Sequence, residues 1–95
     1  MAVNTQSNTL SSFYTFITNL AIMGQLEAQI EEKEERLDYI SNLISIYESV
    51  GTCAFADDAA IKYNKLRKEV LELKLKLNDL DRQTLLFELN SLRRE

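Results

Sequence analysis

Apolar residues recur at alternating intervals of three and four along two stretches of the chain, the signature of a coiled-coil seam and not of a β-strand. In the first stretch the seam is Phe16, Asn19, Met23, Leu26, Ile30, Lys33, Leu37, Ile40, Ile44 and Tyr47. In the second it is Tyr63, Leu66, Val70, Leu73, Leu77, Leu80, Thr84, Phe87 and Ser91. The pattern predicts an all-α fold, a long antiparallel two-helix hairpin of coiled-coil type.

The boundaries follow from the residues between and around the seams. Residues 1–10 open with MAVNTQSNT, polar, uncharged and aperiodic, which predicts a flexible tail. A helix is expected over 11–50, interrupted only by Gly24, where a kink or a close packing contact is expected. Gly51 is a C-terminal stop and Asp57 or Asp58 an N-cap, so 51–58 is expected as a loop and 59–93 as the second helix. With the turn centred on Phe55, Tyr47 faces Tyr63, Ile40 faces Val70, Lys33 faces Leu77 and Met23 faces Phe87. The flanking charges do not select that register. Glu34 meets Lys74 favourably, but Arg36 meets Lys76 and Glu27 meets Asp81.

An isolated hairpin buries one stripe of each helix, so large apolar residues elsewhere are informative. On the second helix Leu71, Leu75, Leu85, Leu89 and Leu92 form an outer stripe, with Asn78 and Arg82 at its centre and Leu86 beside it. On the first, Phe13, Phe16, Ile17 and Leu20 leave almost no polar face. These ten side chains are the expected partner or oligomer interface, concentrated at the end away from the loop. Their exposure predicts completion of a bundle by self-association, with a dimer forming four helices as the first expectation, or by a foreign protein.

Composition narrows the chemistry. The 95 residues make at most one small domain, and they include no Pro, no His, no Trp and a single Cys. The usual general base and metal ligand is therefore missing, so no enzymatic activity, metal or cofactor is expected. The cluster Glu31, Glu32, Glu34, Glu35 and Asp38 lacks a His to complete a di-metal motif, has Lys33 and Arg36 among its acids, and is expected as a solvated face. Lys33 is expected to snorkel from the seam, and Cys53 to pack as a small hydrophobe.

Eleven basic and fifteen acidic residues give a net charge of −4, the wrong sign for a general nucleic-acid binder, and the basic run Lys62, Lys65, Arg67 and Lys68 lacks stacking aromatics or a phosphate loop. No charged side chain precedes Glu27, so the start has neither the basic region of a secretory signal nor the cationic face of a membrane-surface helix. The expectation is a cytoplasmic protein, or one exported without a cleaved signal, that binds neither nucleic acid nor membrane.

A helical hairpin preceded by the uncharged run MAVNTQSNTLSS resembles the small subunits and chaperones of bacterial type III secretion systems. The needle subunits of those systems have a Pro-containing turn, whereas this chain has GTCAFADDA. The resemblance implies a secretion-type chaperone or accessory structural subunit. A small phage-type inhibitor that fills a partner's groove with the same leucines, and a membrane-active hairpin, are the alternative expectations.

Overall fold

The computed structural model describes residues 2–93, with side chains from residue 10 onward. It consists of two helices, α1 (Ala2–Ser49) and α2 (Cys53–Arg93), folded back on each other as an extended rod of 73 × 20 × 14 Å. No strand occurs among the described residues. At about 1.5 Å per residue, α1 alone accounts for the length of the rod.

The turn is shorter than its sequence suggests. Gly51 takes φ +79°, the left-handed conformation that lacks a steric penalty only in glycine. Its N–H donates to the Glu48 carbonyl at 3.2 Å and the Thr52 N–H to the Tyr47 carbonyl at 2.9 Å, a Schellman closure that satisfies two of the orphan carbonyls ending α1. Thr52 then starts the next helix at once. Its carbonyl accepts from the N–H groups of Phe55 and Ala56, while its hydroxyl donates back to the Tyr47 carbonyl at 3.1 Å.

The expected loop 51–58 is thus corrected to residues 50–52, and α2 begins at Cys53, not at residue 59. The physical reason is local. After Thr52 the chain CAFADDAA has neither Gly nor Pro, its four alanines are the strongest helix formers, and helix formation buries Ala56 and Ala59 on the seam. Moving the centre of the turn back by half a heptad slides α2 by a full heptad along α1. The same stripes still face each other, in a different register.

Contacts along the rod define that register. Tyr47 lies against Phe55 with ring centroids 5.7 Å apart, Lys33 reaches Glu69 at 3.3 Å, Asn19 reaches Gln83 at 3.4 Å, and Phe16 stacks on Phe87 at 4.7 Å. Phe87 therefore meets Phe16 instead of Met23, and Val70 lies beside Lys33 instead of Ile40. Every expected seam residue is buried or half-buried except Ser91, which is exposed. Ile30, Leu37 and Val70 form the central cluster, with Tyr63, Leu66, Leu73 and Leu77 packed on it. Val70 is the most enclosed, at 1% exposure. Thr84 is also buried, and its hydroxyl is satisfied by the Asp81 carbonyl at 2.8 Å.

Two further expectations are corrected. Residues 2–10, expected as a flexible tail, are part of α1, which continues unbroken through Gly24. That glycine is exposed, and a methyl group in its place would meet nothing within 4 Å, so it marks no close packing contact.

Candidate interaction surface

The Phe16–Phe87 stack closes the seam near the end of the rod away from the turn, its rings only 18° from parallel. Phe16, expected at an outer interface, is therefore half-buried inside the hairpin. The other nine expected interface residues all lie outside it. Phe13, Ile17 and Leu20 of α1 are 49%, 46% and 44% exposed, and Leu85, Leu86, Leu89 and Leu92 of α2 are 58%, 50%, 43% and 68% exposed.

The stack sets these two groups level with each other, because it pins the start of α1 against the last turns of α2. One rod end thus carries a large apolar surface from both helices. Leu10 and Tyr14 enlarge it, at 56% and 67% exposure, and Tyr14 meets the Phe13 ring edge-on at 6.3 Å. Tyr14 lies off the seam, and what marks it in the sequence is the unbroken run of uncharged residues before Glu27.

Beside the stack a shallow groove of mixed polarity runs between the helices, lined by Ser11, Thr15, Asn19, Gln83 and Thr84 together with Phe16 and Phe87. The apolar surface and this groove share the same end of the rod. Leu71 and Leu75 lie farther towards the middle of α2, both exposed, and continue the outer stripe past Asn78 and Arg82.

Several of the charged candidates are engaged in salt bridges. Glu34 pairs with Lys74 across the helices at 2.7 Å, and Glu32 pairs with Arg36 along α1 at 3.8 Å. Lys33, half-buried on the seam, is held by Glu69, so it bridges the helices in addition to extending along them. Lys62 pairs with Asp58 at 3.2 Å and Lys68 with Glu72 at 4.0 Å, which neutralises part of the basic run. Among the described residues no three His, Cys, Asp or Glu side chains converge as metal ligands. Cys53, expected to be packed, is exposed at the start of α2, because the helix begins there and turns that side chain outward.

Among the described residues no helix is long and apolar enough to cross a membrane. The chain matches no protein family, no curated protein and no solved structure.

Proposed function

We propose that this chain is a non-enzymatic assembly module, a small chaperone or accessory subunit of the secretion type, that works by covering its loop-distal apolar surface with another protein. The observation that carries the reading is the gathering of Phe13, Ile17, Leu20, Leu85, Leu86, Leu89 and Leu92, all exposed, at one end of a rod whose own core is a single seam. Burying each such side chain is worth roughly 1.5–3 kcal/mol. Covering three or four of them would rival the whole stability of so small a domain, about 5–15 kcal/mol. Patches of this kind on a soluble protein mark interaction sites.

The test is retrieval of the partner from the native source with the full chain as bait. Phe13→Ser combined with Ile17→Ser is expected to lose the partner while circular dichroism shows unchanged helicity. Undiminished capture by a helical double variant would refute the reading.

A further inference from the structure

We propose that the outer stripe of α2 binds a second copy of the same stripe, running antiparallel, so that two hairpins join back to back through their second helices. This rests on the assembly reading above and assigns one of the surfaces it leaves open. The stripe is Leu71, Leu75, Asn78, Arg82, Leu85 and Leu89, spaced alternately by four and three, and all six are exposed.

The order of residues carries the argument. The stripe reads two leucines, two polar residues, two leucines, the same in either direction. Laid antiparallel on itself, it sets Leu71 on Leu89, Leu75 on Leu85 and Asn78 on Arg82 of the other copy, and each pairing occurs twice about one two-fold axis. Sliding by a heptad either way places Asn78 or Arg82 against leucine, which leaves a polar group desolvated without a partner. One register is therefore favoured. In it the Arg82 guanidinium donates to the side-chain carbonyl of Asn78 in the other copy, a polar layer of the kind that fixes alignment in coiled coils.

The flanking charges are divided. In the same register Lys74, which Glu34 holds at 2.7 Å within the hairpin, lies beside Glu88 of the second copy, twice, and Glu72 lies beside Leu86. Asp79 and Asp81 each lie opposite their own counterpart across the axis, a like-charge approach that the two Arg82 side chains between them offset. A foreign helix has no reason to match this internal symmetry. The stripe from Leu71 to Leu92 is about 30 Å long, so the interface is small.

The pairing also leaves Phe13, Ile17 and Leu20 uncovered, because α1 lies on the far side of α2 from the second copy. The two surfaces can be separated by mutation. Light scattering on the full chain at high micromolar concentration is expected to give a dimer mass, halved by Leu71→Asp with Leu75→Asp but unchanged by Phe13→Ser with Ile17→Ser. A monomeric wild type, or the reverse dependence on the two variants, overturns the proposal. Neither result bears on partner capture through Phe13 and Ile17, which is measured separately.

Orientation has its own test. In a Cys53→Ser background, Leu75→Cys and Leu85→Cys chains are expected to form a disulfide dimer under mild oxidation only when mixed. Cross-linking of either variant alone, which a parallel pairing gives, or failure of the mixture to cross-link, overturns it.

Discussion

A double-mutant cycle on Phe16 and Phe87 measures the register directly. The two rings are stacked with centroids 4.7 Å apart and are both half-buried. Truncating a fully buried Phe to Ala removes about 3–5 kcal/mol, so each half-buried ring should cost about 2 kcal/mol alone. The stack itself adds about 0.5–1.5 kcal/mol beyond burial, and the double variant should be less destabilised than the sum of the singles by that amount. Met23 supplies the control. It lies one heptad from the layer of Phe87, about 10 Å along the axis, so Met23→Ala and Phe87→Ala should add to within about 0.5 kcal/mol. Urea unfolding followed by circular dichroism resolves the difference, at one low protein concentration so that association does not contribute. Coupling of Phe87 to Met23, with none to Phe16, would refute the three-residue turn and restore the longer loop.

Four further perturbations follow from the packing. Gly51→Ala should lower stability by about 1–2 kcal/mol through its left-handed backbone alone, since an added methyl meets no neighbour within 4 Å; a neutral result in thermal unfolding would contradict the turn geometry. Val70→Ala should cost about 2–3 kcal/mol, lost burial plus a cavity, whereas the exposed Leu75→Ala should change the unfolding of the monomer by less than about 0.5 kcal/mol. Lys33→Met should shift stability by less than about 1 kcal/mol, because the Lys33–Glu69 pair is partly solvated and a methionine fills the same seam position; a loss of folding would show that the pair is essential. Cys53 should react with a thiol reagent in the native state without prior unfolding, and protection would contradict its exposure.

The heptad pattern alone places nearly the whole core, because a stripe of Leu, Ile and Val at helical spacing has no other surface to bury. What it leaves open is the alignment of one stripe on the other, which repeats every seven residues. Only the turn lifts that degeneracy. Asp57 and Asp58 read as N-caps, yet alanines on both sides draw the helix back to Cys53, where a single residue, Thr52, both ends α1 and begins α2. Charge is no clearer a guide: Glu69 is held by Lys33 and Arg36 by Glu32, while Lys74 reaches Glu34 at 2.7 Å, a pair that the longer-loop register also expects.

The exposed leucines were legible for a different reason: residues off a seam have no intramolecular partner whichever register is adopted. Phe16 was the exception, being counted on both surfaces until its stack with Phe87 placed it inside. Cys53 was misplaced because its environment depended on where α2 starts.

The hairpin has one turn and one seam, so the stretch of chain enclosed by each facing pair lengthens steadily from Tyr47–Phe55 to Phe16–Phe87. Closing the far pair in one step would cost about 2 kcal/mol more loop entropy than closing the near one. Layers added in order from Gly51 avoid that barrier, so the order of folding expected on entropy alone is a zipper whose last teeth are Phe16 and Phe87. Unzipping runs in reverse, and amide exchange should be fastest at the open end. The exposed apolar surface thus belongs to the part of the rod that separates at least expense, and any helix that docked there with the two helices slightly splayed would meet little resistance.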